Sequence, residues 1–111
     1  MAYINNEFDS PEAWIINSIG FPAYLEHIAE EAAELAQASL KYARVLRGEN
    51  PTPTTIYDAN EHFCEEMADV ACLLNVLSSS SKDIQSTMEA YYRTKKELWK
   101  KRLKEGESCS L

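Results

Sequence analysis

Two stretches of the chain share one order of residues, and they constrain the fold more than any other feature. Residues 27–34 read His-Ile-Ala-Glu-Glu-Ala-Ala-Glu, and residues 62–69 read His-Phe-Cys-Glu-Glu-Met-Ala-Asp. Both lie in apolar surroundings, where a carboxylate is unstable unless a cation or a proton neutralises it. Because side chains three or four positions apart share a helix face, each stretch presents a pair of carboxylates: Glu31 with Glu34, and Glu66 with Asp69.

The spacing of the apolar residues predicts that both stretches lie in long helices. Apolar side chains recur by threes and fours, which is the pattern of a helix with one buried face. With only 3 Gly and 4 Pro among 111 residues, the composition favours helices joined by short loops. The predicted helices run from about Asp9 or Ser10 to Gly20, from Phe21 to Arg47, from Ile56 to Leu77 and from Lys82 to Lys104.

We therefore expect an all-α fold in a single domain that spans residues 1–111. It would be an antiparallel bundle of the two long central helices, completed by a short N-terminal helix and a long C-terminal helix. Ser78 to Ser81 forms a polar break before the last helix. The last helix is strongly basic, since seven Lys or Arg residues fall between Arg93 and Lys104.

Helical phase separates the acidic residues of the two stretches into inward and outward groups. At 100° per residue, Glu66 falls near the middle of the apolar stripe of its helix, with Asp69 and His62 toward one side. Glu31 falls on an apolar face of its own helix, and Glu34 lies at the border of that face. The other acids of the two stretches point outward: Glu30 and Glu65.

The inward carboxylates converge if the two long helices pack antiparallel. Like charges brought together in a low-dielectric site repel by an amount on the order of several kcal/mol, so the group must take up protons or bind cations. Oxygen ligands without an obligatory histidine or cysteine favour Mg²⁺ or Mn²⁺ over Zn²⁺. The pattern is typical of a divalent-cation site that leaves coordination positions for water and phosphate oxygens.

The two acidic motifs resemble the EExxE…ExxD signature of the MazG-like all-α nucleoside triphosphate pyrophosphohydrolases. The first half reads Glu-Glu-Ala-Ala-Glu at residues 30–34, and the second reads Glu-Met-Ala-Asp at residues 66–69. The resemblance covers roughly Trp14 to Leu77 and, more loosely, the basic last helix. It implies Mg²⁺-dependent hydrolysis of a nucleoside or deoxynucleoside triphosphate to the monophosphate and pyrophosphate, by a homodimer or homotetramer.

The resemblance also implies roles for individual residues. Glu30 opens the motif, where it would contact a second ion or orient water, although helical phase points it outward. By motif position, the metal ligands would be Glu31, Glu34, Glu66 and Asp69.

Other residues are candidates for substrate binding, because a triphosphate at an acidic site needs cations besides the metal. Trp14 is a candidate for stacking on the base, with core packing as the alternative. His27 and His62 either support the carboxylates or make ordinary hydrogen bonds. The candidate triphosphate ligands, for which a solvated basic face is the alternative, are Lys95, Lys96 and Arg102.

Bulk properties exclude several classes of protein. The formal net charge of −7 argues against bulk attraction to nucleic acid. No apolar run is long enough to span a bilayer, and the first ten residues do not resemble a signal peptide. The three cysteines imply no disulfide framework, so we expect a cytoplasmic protein.

Two further interpretations remain open. The first is a di-iron or di-manganese carboxylate bundle, but such bundles place histidine three residues after a glutamate, and here each histidine precedes the acids. The second is a non-catalytic helical module whose acidic face binds a basic partner. That module predicts exposed motif carboxylates and no bound divalent ion.

Overall fold

The computed structural model describes residues 11–49, 51 and 53–106. The described residues form helices and connecting turns with no strand, which confirms the predicted all-α class. Both long helices begin where the sequence predicts, and the last helix matches its predicted bounds. The helices are α1 (Ala13–Ile19), α2 (Phe21–Arg47), α3 (Ile56–Ser80) and α4 (Lys82–Lys104).

Local residue choices explain the helix boundaries. Gly20, at φ 93°, separates α1 from α2, and Gly48, at φ 72°, ends α2 in the left-handed conformation that suits glycine. The Thr55 hydroxyl accepts the backbone N–H of Asp58 and caps α3. The predicted start of α1 at Asp9 or Ser10 lies outside the described residues.

Helix α3 is longer than predicted, because it ends at Ser80 and not at Leu77. The Ser80 hydroxyl donates to the carbonyl of Val76 at 2.6 Å, and the Ser78 hydroxyl donates to that of Asn75 at 3.1 Å. These serines bond to the helix backbone behind them and do not break the helix. Only Ser81 leaves the helical conformation, and its hydroxyl accepts the N–H of Ile84 to start α4.

The buried core lies at the end of the molecule where α1 meets the start of α2. Ile16 and Tyr24 are its largest members, and Leu73 and Ile84 pack against them. The Tyr24 hydroxyl donates to the carbonyl of Leu73 at 2.7 Å. This bond ties the first turn of α2 to the second half of α3.

A second contact ties the other end of α2 to α3. The rings of Tyr42 and Phe63 lie 5.6 Å apart at 46°, a tilted arrangement that aromatic pairs favour. Ala38 of α2 and Ala59 of α3 are also buried. The two contacts bracket the acidic stretches, so the packing of α2 on α3 determines where the carboxylates meet.

Helix α4 extends away from this core. None of its residues is buried, although Ile84 in its first turn packs on the core. The radius of gyration is 17.7 Å, whereas a compact domain of this length has about 13 Å. Large apolar side chains lie exposed on every helix, among them Leu40, Leu74 and Trp99. Among the described residues, no helix combines the length and the apolar composition needed to cross a membrane.

Candidate metal centre

Three of the predicted metal ligands converge between α2 and α3. One carboxylate oxygen each from Glu31, Glu34 and Glu66 lies within 4.8 Å of the other two. Glu66 is buried, with 8% of its surface exposed, while Glu31 is half-buried and Glu34 is exposed. The cluster is therefore open on the side of Glu34 and closed on the side of Glu66.

Two oxygens of this cluster are buried without a partner. Oε2 of Glu31 and Oε2 of Glu66 accept no hydrogen bond from any described residue. Buried polar atoms in folded proteins nearly always have a partner, and an exception calls for an explanation such as an ion. A cation held by the two glutamates is one such explanation, because the two residues belong to the same carboxylate cluster.

The electrostatics of the cluster point the same way. Burial raises the pKa of Glu31, and the neighbouring carboxyl group of Glu34 raises that pKa further. Burial and the same neighbour also raise the pKa of Glu66. The charge of Asp69 adds a smaller upward shift to each. The carboxylates thus destabilise one another in their charged form, which is the form that binds a metal.

Each buried glutamate has a histidine one helical turn before it. His62 Nε2 lies 3.4 Å from Oε1 of Glu66, and His27 Nδ1 lies 4.0 Å from Oε1 of Glu31. The histidine charge lowers the pKa of its glutamate, but this effect is smaller than those that raise it. Each histidine thus lies close enough to act electrostatically on its glutamate, and its role as a support for the metal ligands stays a prediction.

Asp69, the fourth predicted ligand, lies beside the cluster. Its charge acts on both buried glutamates, and its exposed side chain lines a groove of about 250 Å³. His27, Glu31, Cys72 and Leu73 line the same groove, which we call the Cys72 groove. Asp69 is therefore placed to contact a ligand that enters from this side.

Glu30 and Glu65, which helical phase points outward, are both exposed. Neither belongs to the three-carboxylate cluster. The side of the cluster at the exposed Glu34 can admit water or a phosphate, and the role of Glu30 there stays a prediction.

Sequence reasoning missed a second groove next to the cluster. It has a volume of about 480 Å³, and we call it the Lys41 groove. Helical phase places the cationic residues of this groove, Lys41 and Arg44, on the outer face of α2, but phase within one helix does not account for the neighbouring helix. One sequence signal could have indicated the groove. Lys41 and Arg44 lie three residues apart, and Lys41 follows Glu34 by two helical turns. The lining residues are Gln37, Leu40, Lys41, Arg44 and His62.

None of the residues predicted to bind substrate lines either groove; these residues are Lys95, Lys96, Arg102 and Trp14. Lys95 and Lys96 are exposed on α4 and line a third pocket, of about 210 Å³, with Tyr92 and Trp99, where the Lys96 ammonium lies 5.6 Å from the Tyr92 ring centre. Arg102 is half-buried near the end of α4. Trp14 is 66% exposed on α1, so it does not pack in the core of this chain.

The residues present fit a hard divalent cation. Three carboxylates meet, two of their oxygens lack partners, and no cysteine belongs to the cluster, which is a donor set that suits Mg²⁺ or Mn²⁺. Such a site can hold phosphate oxygens and lower the pKa of a bound water. The chain matches no protein-family model, no curated protein and no solved structure.

Proposed function

We propose that the protein hydrolyses nucleoside triphosphates to nucleoside monophosphates and pyrophosphate, with Mg²⁺ or Mn²⁺ as its cofactor. The observation that supports this most strongly is the convergence of Glu31, Glu34 and Glu66 with two buried, unpartnered oxygens. The resemblance of the acidic motifs to the MazG-like signature supplies the reaction. Asp69 completes the proposed set of ligands from the edge of the Cys72 groove.

In this proposal the bound cation supplies charge neutralisation at the phosphates and a water of lowered pKa. The residues of the chain position the cation and the substrate. Burial holds Glu66, and His62 restrains its outer oxygen. The open side at Glu34 admits the triphosphate, and Glu30 at the rim orients water.

The reaction requires one bond to form and one to break. The oxygen of water adds to the α-phosphorus, and the bond from that phosphorus to the oxygen that bridges it to the β-phosphorus breaks. The proton of the water passes to a nearby carboxylate, and pyrophosphate leaves with the bonding electrons.

The proposal includes an antiparallel pair of central helices and a homodimer or homotetramer. One face of α3 repeats an apolar pattern at intervals of three, four and seven residues, which is the spacing of helices that pair. This face, which we call the outer α3 stripe, is exposed, and its small residues allow another helix to approach closely. It consists of Tyr57, Cys64, Met67, Ala71 and Leu74.

Assembly would also give α4 a role. As a helix without a buried residue, α4 gains little stability within one copy. In the proposed oligomer its basic residues Lys95, Lys96 and Arg102 bind the triphosphate, and Trp14 stacks on the base. The alternative of an acidic docking face is weaker, because a docking face must be exposed and Glu66 is buried.

Substitution of Glu66 tests the proposed function. Glu66→Gln removes the charge and keeps the shape, so we expect pyrophosphate release to fall by about a hundredfold or more. Glu65→Gln is the matched control, since Glu65 is the exposed neighbour on the same helix. Normal turnover in the folded Glu66→Gln protein would contradict the proposal.

A further inference from the structure

We propose that the Lys41 groove binds the pyrophosphate part of the substrate and, after hydrolysis, the pyrophosphate product. The inference rests on the proposed function and adds a phosphate-binding site on α2 that the acidic motifs do not contain. The residues that would hold the phosphates are Lys41 and Arg44, with the amide of Gln37 as a neutral donor.

The groove and the carboxylate cluster share a neighbour, His62. His62 lines the groove and also lies 3.4 Å from Glu66. Along α2, Lys41 follows Glu34 by seven residues, which places their backbones about 10 Å apart. The long side chain of Lys41 can span part of that distance, and Arg44 lies one turn further along α2 in the same groove. A polyphosphate that extends from the carboxylates would therefore meet Lys41 first and Arg44 after it.

The distribution of charge supports the assignment. Only three Lys or Arg residues precede Lys82 in the sequence, and two of them line this groove. Neither Lys41 nor Arg44 forms an ion pair within the described ranges. The protein is acidic overall, yet Lys41 and Arg44 do not pair with any carboxylate that the structure describes. Both side chains are therefore available to bind an anion from solution.

The two grooves beside the cluster differ in chemistry, and this sets the orientation of the substrate. The Cys72 groove carries two of the proposed metal ligands, Asp69 and Glu31, together with the apolar Leu73; its described lining offers no Lys or Arg to a phosphate, and its apolar part suits the sugar or base. The Lys41 groove carries two cations and no acid. The triphosphate would therefore extend along α2 from the carboxylates toward Arg44, with the nucleoside on the side of His27.

Direct binding of inorganic pyrophosphate tests the inference. The variant is Lys41→Gln/Arg44→Gln, and the control is Arg47→Gln/Lys104→Gln, which removes the same charge from two exposed positions outside both grooves. With Mg²⁺ present, calorimetry should show pyrophosphate bound at least about tenfold more weakly by the variant, or about 1.4 kcal/mol. The control should match the unsubstituted protein, and circular dichroism should show equal helix content in all three.

The outcomes separate this inference from the proposed function. Loss of pyrophosphate binding in the variant alone supports the groove even if no nucleoside triphosphate is hydrolysed. Equal loss in the control, or no binding of pyrophosphate to the unsubstituted protein, overturns it. If triphosphates are hydrolysed and the variant keeps the same KM, the inference fails while the proposed function stands.

Discussion

Glu66 has one oxygen 3.4 Å from Nε2 of His62 and the other buried without a partner. The histidine lines the Lys41 groove, and the Glu66 carboxylate converges with those of Glu31 and Glu34. One buried side chain thus joins a candidate cation site to a candidate anion site. Stability, pH dependence and catalysis should all respond to this arrangement.

Divalent cations should stabilise the folded protein. The cluster forms only when α2 and α3 are packed, so a cation would bind the folded state alone. The free energy of unfolding should therefore rise with the cation concentration, by about 2.7 kcal/mol at a hundred times the Kd of the cation. Thermal unfolding with added Mg²⁺ measures the effect. Glu31→Gln/Glu66→Gln should lose most of it, whereas Glu30→Gln/Glu65→Gln should keep it. An equal shift in both variants would indicate nonspecific screening.

The metal-free protein should lose stability as the pH rises. The folded-state pKa values of Glu31 and Glu66 lie above the ordinary value of 4.5, so the folded state binds more protons than the unfolded state in this window. The contribution of these two groups to the free energy of unfolding is fully present below pH 4.5 and is lost as the pH rises through the elevated pKa values. Urea unfolding from about pH 5 to about pH 7.5 should show a shallower decline for Glu66→Gln. Identical slopes for the two proteins would contradict this origin.

The bond between Tyr24 and Leu73 should contribute measurably to stability. Tyr24→Phe removes a buried donor and keeps the ring, so urea unfolding should show a loss of about 1 kcal/mol. Tyr24→Ala also leaves a cavity and should cost about 3 kcal/mol or more. Tyr91→Phe, at an exposed tyrosine of α4, is the control and should change stability by no more than about 0.5 kcal/mol.

The outer α3 stripe should hold the proposed oligomer together. Leu74→Glu places a charge in the stripe, and sedimentation should show a shift toward the 12.6 kDa monomer. Asn75→Glu adds the same charge at the neighbouring exposed position and should leave the assembly intact. A monomeric unsubstituted protein at all concentrations would refute the stripe as an interface.

Much of this fold follows from local sequence signals. Gly20 and Gly48 mark the ends of helices because each takes a positive φ, and Thr55 marks a start because its hydroxyl caps the backbone. The burial of Glu66 follows from its place in the apolar stripe of α3. These features depend on neighbours within one helix, so periodicity and capping chemistry suffice to predict them.

The remaining features depend on how helices meet. The Lys41 groove was not predicted because phase within α2 says nothing of His62 across the interface. The sequence predicts a polar break at Ser78 to Ser81, because composition does not reveal that the hydroxyls of Ser78 and Ser80 bond to the preceding turn of the helix. The exposure of Trp14 likewise reflects where α1 packs, which its own sequence does not specify.

The central claim is metal-dependent hydrolysis, and pyrophosphate release tests it most directly. The unsubstituted protein should be incubated with a panel of canonical and damaged nucleoside triphosphates, once with Mg²⁺ and once with excess chelator. We predict pyrophosphate and the monophosphate in equal amounts with Mg²⁺, and none with chelator. Folded protein that releases no pyrophosphate from any triphosphate with Mg²⁺ present, or that releases it equally with chelator, would contradict the account.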